Sequence, residues 1–407
     1  MNDEAVYAVL LHGERVGSLQ RRGRFTKFAF DRDYWDRPDR PVLGRWFEDH
    51  PRRTPHATNR VPPWFSNLLP EGRLRELIAR EQGVSVHQEI DLLARVGRDL
   101  PGAVEVASVP GASADIVFDD AVDVPRSRGI PAVLPVRASL AGMTMKFSLR
   151  ERGERLVVPA HGESGDVILK MPDSQFPNLP VNELAVMKLA GTVGIEVPEV
   201  KLRRRSQVDD LGEGAWASDE DTAYTIRRFD RTDGSRVHIE DFAQVLGRFG
   251  MGESKYDSNV ETVAGIAFRG HDHASLRETI RRTVFNLLVG NGDAHLKNWS
   301  LIYPDRKSAK LSPAYDPVST AVYPNHAELG LPFFGGERLA QISRDHFRRL
   351  QEALRVGAED VLETLDATLE RFFDSWPDAR SDTPEDVARW IDEHAVQTRS
   401  RLLGRFA

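Results

Sequence analysis

Residues 5–31 alternate apolar and polar side chains. Val6-Tyr7-Ala8-Val9-Leu10-Leu11 runs into the turn His12-Gly13-Glu14-Arg15 and returns through Val16-Gly17-Ser18-Leu19. A period of two around a glycine-containing turn predicts a β-hairpin, and Phe25, Phe28 and Phe30 predict a further strand. The period then lengthens. Leu74, Leu77 and Ile78 predict a helix over 71–80. Ser85-x-x-Gln88 predicts a capping box ahead of Ile90, Leu92, Leu93 and Val96, with Gly97 as the stop. Residues 1–108 therefore read as a small α+β unit, and the Pro-, Gly-, Asp- and Ala-rich stretch 109–130 as a linker.

The strand period returns at Gly165-Asp166-Val167-Ile168-Leu169-Lys170-Met171 and again over 197–202 and 224–229. Between them, Leu184, Val186, Met187, Leu189 and Ala190 predict a helix over 182–193. From about residue 237 the pattern is mostly helical. Ser275-x-x-Glu278 is expected to cap a helix carrying Ile280, Val284, Phe285, Leu287 and Leu288 and ending at Gly290. A hairpin is expected from 299–303 and 309–311 around Pro304-Asp305-Arg306. Two amphipathic helices close the chain, over 361–373 and 384–403, the second with Thr383 as N-cap and Pro384 at its first position. The expectation is an α+β chain of two lobes behind an accessory unit: a β-rich lobe over 131–230 and a helical lobe over 231–407.

Composition narrows the chemistry. The 407 residues include no cysteine, which removes disulfides, thiolate zinc sites and cysteine nucleophiles. A net charge of −7 gives no bulk electrostatic grip on nucleic acid. The basic runs at Arg21, Arg22 and Arg24 and at Arg203, Arg204 and Arg205 read as solvated strand faces or local anion contacts. The first thirty residues lack a signal pattern, and no run approaches eighteen apolar residues, so a cytoplasmic protein without a membrane span is expected.

The candidate chemistry lies in Asn291-Gly292-Asp293-Ala294-His295-Leu296-Lys297-Asn298 and in Asp316 beyond the hairpin. An Asp, an Asn five positions on and a second Asp form a layout suited to phosphoryl transfer. In it Asp293 accepts the proton of the attacking hydroxyl, while Asn298 and Asp316 hold Mg²⁺ against the phosphates of ATP. Lys297 would neutralise charge near the transferring phosphoryl. His295 reads as a structural, hydrogen-bonding neighbour of the nucleotide site. Lys170 at a strand end and Glu183 on the next helix fit a phosphate-gripping lysine and its orienting carboxylate. Ser139-Leu140-Ala141-Gly142-Met143-Thr144-Met145-Lys146 sits where a phosphate-covering loop would lie, but has one glycine. It reads either as an ordinary loop or as a cradle built from backbone amides and Lys146. Phe229 would either close an adenine pocket or pack as a core aromatic. His271-Asp272-His273 reads as surface groups rather than a metal cluster, and no Gly-x-Ser-x-Gly elbow is present.

Taken together these residues resemble the HipA family of bacterial toxin kinases, along nearly the whole chain. Ser139 to Gly142 with Lys146 is similar to the family's phosphate loop, Val167 to Met171 to its lysine strand, and Ile226-Arg227-Arg228-Phe229-Asp230-Arg231 to its linker, where Arg227 replaces a frequent Glu. Asn291 to Asn298 is similar to the catalytic loop, and Ala314-Tyr315-Asp316-Pro317 to the metal-binding segment. The accessory unit carries the similar stretches Asn67-Leu68-Leu69-Pro70-Glu71-Gly72 and Val96-Gly97-Arg98-Asp99-Leu100-Pro101-Gly102-Ala103. The resemblance implies ATP- and Mg²⁺-dependent serine/threonine phosphorylation of a protein such as an aminoacyl-tRNA synthetase. It also implies a helix-turn-helix antitoxin that alone contacts operator DNA, and self-phosphorylation at Ser139. A small-molecule phosphotransferase with the same core and a kinase-like corepressor without activity are the rival expectations.

Overall fold

The computed structural model describes residues 4–109, 145–159, 163–209, 211, 215–232, 234–324 and 326–404. The first unit is a five-stranded antiparallel sheet of β1 (Glu4–Leu11), β2 (Glu14–Arg22), β3 (Phe25–Phe30), β4 (His56–Thr58) and β5 (Val104–Ser108), in the order β4-β3-β2-β1-β5. The β1–β2 turn holds His12 at φ 51° and Gly13 at φ 79°, two left-handed residues that suit the twist of a tight hairpin. The alternation seen in sequence becomes one dry face: Val9, Leu11, Val16, Leu19 and Phe28 pack against Phe47, Trp64, Phe65, Leu92 and Leu93. Helix Gly72–Glu81 forms where its periodicity placed it. The next helix does not start from a Ser85 cap. It spans Glu89–Val96, and Ser85 lies in the preceding turn. The reason is tertiary: the buried Glu89 carboxylate accepts from Val61 N–H, Ser66 Oγ and Arg75, which pulls the first turn inward at that residue.

The second sheet is also antiparallel and five-stranded. It contains β6 (Lys146–Arg152), β7 (Arg155–Val157), β8 (Val167–Lys170), β9 (Val200–Arg204) and β10 (Thr222–Arg227), in the order β7-β6-β8-β10-β9. β9 begins at 200 rather than 197; Pro198, without an N–H, cannot donate to the ladder. Helix Leu179–Thr192 lies on this sheet, with Met187 packed against Tyr224 and Ile226.

The helical lobe is organised around helix His273–Val289, buried beneath helices Leu362–Ala379 and Glu385–Leu402. Its cap is Asp272, not Ser275: Asp272 Oδ1 accepts the Ser275 N–H at 3.0 Å. The last helix likewise starts past Thr383, whose hydroxyl donates to the Ala379 carbonyl at 3.0 Å while Pro384 takes the capping position. Strands His238–Asp241, Ser300–Tyr303 and Lys310–Leu311 form a small antiparallel sheet at the edge of this lobe.

The first unit grips both lobes through buried polar contacts. Glu240 accepts from Arg45 N–H at 2.8 Å, Trp64 Nε1 at 2.9 Å and Tyr303 OH at 2.5 Å. His238 Nε2 donates to the Leu43 carbonyl at 2.7 Å, and burial holds its imidazole neutral with a pKa near 4. On the other lobe, Asp99 accepts from Arg228 and Arg231, both at 2.9 Å, from Ser148 Oγ at 2.6 Å and from Gly165 N–H at 3.2 Å. The linker arginine Arg228 is thus committed to the first unit and to Asp230.

Candidate active site

Asp316 is the point on which the two lobes converge. The hairpin Ser300–Tyr303/Lys310–Leu311 delivers it, and its backbone is left-handed at φ 64°, a conformation Asp tolerates better than most residues. Across β6 and β8, Lys146 and Lys170 are register partners, so their side chains leave the sheet on one face. Both reach the same carboxylate: Lys170 pairs with Asp316 Oδ1 and Lys146 with Oδ2 at 3.1 Å. Lys146 is therefore the first residue of a strand and not part of a loop as its sequence context suggested. Glu183, buried on helix Leu179–Thr192, holds Lys170 from the other side, and the ammonium lies 5.4 Å from the centre of the Tyr224 ring. Asn298 Nδ2 donates to Asp316 Oδ2 at 3.2 Å.

The electrostatics follow from that cluster. Burial works against the charge on Lys170, but Asp316 and Glu183 outweigh it and raise its pKa. Burial also opposes the charge on Asp316, yet Lys146 and Lys170 hold it well below the ordinary carboxylate range. Two ammonium groups and two carboxylates meet here, with Asp316 between both lysines and Glu183 on Lys170, an arrangement able to take a polyanion on the lysines and a divalent cation on Asp316.

The loop after Gly290 is held by its own amides. Gly290 closes helix His273–Val289 at φ 68°, and a Cβ there would lie 2.2 Å from the Trp390 ring. Asn291 Oδ1 accepts the Asp293 N–H at 3.2 Å, and Thr320 Oγ1 accepts the Gly292 N–H at 2.8 Å. The His295 N–H reaches the Asp293 carbonyl at 2.8 Å and Asn298 Oδ1 at 3.2 Å. A continuous hydrogen-bonded path therefore runs from Asp293 through Asn298 to Asp316. The Asp293 carboxylate itself accepts from Tyr256 OH at 2.7 Å.

Three expectations need revising or qualifying. Lys297 does not offer a free ammonium to a phosphoryl group: it pairs with Glu71 of the first unit at 2.5 Å and donates to the Asn67 carbonyl at 3.4 Å. His295 forms its hydrogen bonds through its backbone and not through its ring. Its ring is buried, neutral with a pKa near 4 because of that burial, edge-on to Tyr256 at 5.3 Å, and neither ring nitrogen has a hydrogen-bond partner among the described residues. Phe229 is half-buried with its ring 5.8 Å from Tyr315, whose hydroxyl in turn donates to the Lys297 carbonyl at 2.9 Å. Ser139 and Gly142 lie outside the described residues. Sequence reading missed Glu71, Lys255 and Tyr256; Glu71 stood inside a quoted stretch, but nothing local to it signals a partner more than two hundred residues away.

Asp316 and Asn298 suit Mg²⁺, which takes one or two protein oxygens and completes its shell with phosphate and water. Asn298 presents its amide nitrogen to Asp316 and its oxygen to the backbone, so ligation requires the amide to turn over. Among the described residues no group of three or more His, Asp or Glu is placed to hold a metal ion.

The HipA N-terminal domain model matches residues 7–107, and the HipA-like C-terminal domain model matches residues 138–376. The chain belongs to the HipA family of toxin kinases. It is 40% identical over 404 residues to the protein Y4dM of Sinorhizobium fredii, covering 96% of each chain. It is 27% identical over 300 residues to the serine/threonine-protein kinase toxin HipA of Shewanella oneidensis, covering 66% of this chain and 65% of that one. Its fold is that of Shewanella oneidensis MR-1 HipA as solved in a complex with HipB and operator DNA: TM-score 0.75 at 20% identity, covering 98% of this chain and 97% of that one. The architecture is the mixed α+β, two-lobed, kinase-like fold of this family with an N-terminal sheet domain. Among the described residues no helix is long and apolar enough to cross a membrane.

Proposed function

We propose that this HipA-family chain is an ATP-dependent serine/threonine protein kinase that restrains growth from the cytoplasm by phosphorylating a translation protein such as an aminoacyl-tRNA synthetase. The observation that carries the reading is the convergence of Lys146, Lys170 and Asn298 on one ionised carboxylate, Asp316. Bound MgATP supplies the phosphoryl group and the divalent charge. Lys170, oriented by Glu183, and Lys146 would neutralise phosphate oxygens, and Asp316, with Asn298 once its amide has turned over, would hold the metal. Asp293 accepts the proton of a serine or threonine hydroxyl as the new O–P bond forms, and the bond to ADP breaks. The side of the loop facing Tyr256 and Glu71 keeps Asp293 in place.

The same reading gives the chain a helix-turn-helix antitoxin as partner, with operator DNA reached only through it, as the HipB complex of the Shewanella protein suggests by analogy. It also gives a self-phosphorylation site at Ser139. Incubation of the purified chain with MgATP, followed by intact-mass measurement and phosphoproteomics of expressing cells, tests both activities together. One added phosphate that disappears in Ser139→Ala, and phosphorylated targets that disappear in Asp293→Ala, are the expected results. Transfer by Asp293→Ala at a rate near wild type would overturn the assignment.

A further inference from the structure

Glu71 begins helix Gly72–Glu81 of the N-terminal unit, yet both of its carboxylate oxygens point into the helical lobe. Oε1 pairs with Lys297 at 2.5 Å and Oε2 with Lys255 at 3.4 Å. Lys297 lies four residues after Asp293 in the loop that carries it. Lys255 precedes Tyr256, whose hydroxyl donates to the Asp293 carboxylate. One side chain therefore tethers the segment that bears the base and the segment that touches it. Lys255 is almost wholly buried, and the side chains of Glu71 and Lys297 are 20% and 15% exposed, so solvent screens this triad weakly. Burial opposes the charge on Glu71, but Lys297 and Lys255 outweigh it and hold its pKa near 2. The surrounding backbone is closed as well. Asn67 Nδ2 donates to the Arg248 carbonyl at 2.8 Å, and a Cβ at Gly250 would lie 2.7 Å from Lys297 Cδ.

We infer that Glu71 is a positioning residue for phosphoryl transfer, through which the N-terminal unit sets the orientation of Asp293 from two sides. The inference rests on the kinase reading and deepens it. A misplacement of a base by about 1 Å costs on the order of a hundredfold in rate, so loss of the tether is visible in turnover even where the fold persists. Nucleotide affinity should not follow, because Lys146, Lys170 and Asp316 do not touch Glu71.

The test uses the full chain and MgATP, with the chain's own serine and threonine hydroxyls as the phosphoryl acceptor; ADP release and phosphate gained by intact mass are followed through this first turnover, per nucleotide site titrated by calorimetry, and kcat and KM denote its maximal rate and half-saturating MgATP. Glu71→Gln is expected to lower kcat at least tenfold with KM for MgATP within twofold and one site per chain retained. Glu71→Asp, which keeps the charge, is expected to recover part of the rate. An unreactive wild type would refute the kinase reading itself. An active wild type with Glu71→Gln within threefold of it would refute the positioning role alone. If Glu71→Gln does not fold, Lys255→Met decides: it keeps the buried stem and removes the tether on the Tyr256 side, so a fall of at least threefold in kcat supports the role and an unchanged kcat overturns it.

Discussion

Asp316 separates a backbone effect from a charge effect, because its backbone is left-handed at φ 64° and its carboxylate carries Lys146, Lys170 and Asn298. Asp316→Asn keeps a residue that tolerates this conformation and removes only the charge. Asp316→Ala removes the charge and adds the left-handed penalty, about 1 kcal/mol. Neither change leaves Lys170 alone, since Glu183 still pairs with it. The common cost should therefore stay below the roughly 3–5 kcal/mol of a buried charge stripped of its partner. Both variants should lose phosphate transfer by at least about a hundredfold, the scale of removing one electrostatic stabiliser from a preorganised site. Urea denaturation gives the stability difference, ADP release gives the transfer rate, and the melting shift with MgATP gives binding. Alanine should be less stable than asparagine by about 1 kcal/mol while the two are equally inactive. Equal stabilities would refute the backbone argument. An asparagine variant with near wild-type transfer would refute the role given to the carboxylate.

Two other outcomes follow from buried groups. Trp64→Phe removes one of the three donors to Glu240, which keeps Arg45 N–H and Tyr303 OH; a loss of about 1–3 kcal/mol is expected in urea denaturation, and unchanged stability would show that this interface does not depend on the bond. The second concerns pH. His238 and His295 have pKa values near 4 in the fold against an ordinary 6.5, so the unfolded chain takes up their protons first and stability is lost as pH falls from 6.5 towards 4. Asp241, pushed up to about 7 by burial, holds its proton in the fold over the same range and so opposes that loss. Asp241→Asn should therefore lose stability on acidification more steeply than wild type, by up to about 1.4 kcal/mol per pH unit, and parallel curves would count against the buried carboxyl.

Local pattern was enough for much of this protein. Alternation made the β1–β2–β3 meander legible, helical spacing the buried platform His273–Val289, and the left-handed stop at Gly290 was readable from the glycine itself. Lys170, Glu183, Asn298 and Asp316 were singled out by residue type and chain order for the proposed phosphoryl transfer, and the fold brings their side chains into contact. Element starts were less legible where long-range contacts chose them. Glu89 is drawn inward by Val61, Ser66 and Arg75, and Asp272 outcompetes Ser275 for a cap.

Partnership across the domains was decided only by the fold. Nothing near Lys297 in sequence distinguishes an ammonium aimed at a phosphate from one bound to Glu71, and nothing near Tyr256 announces a hydroxyl donated to Asp293. A side chain's chemistry is written at its own position, but its partner is set by packing of segments far apart in the chain. The residue types were therefore determined by sequence, while which of them meet, and which are paired across the domains, was settled by tertiary structure.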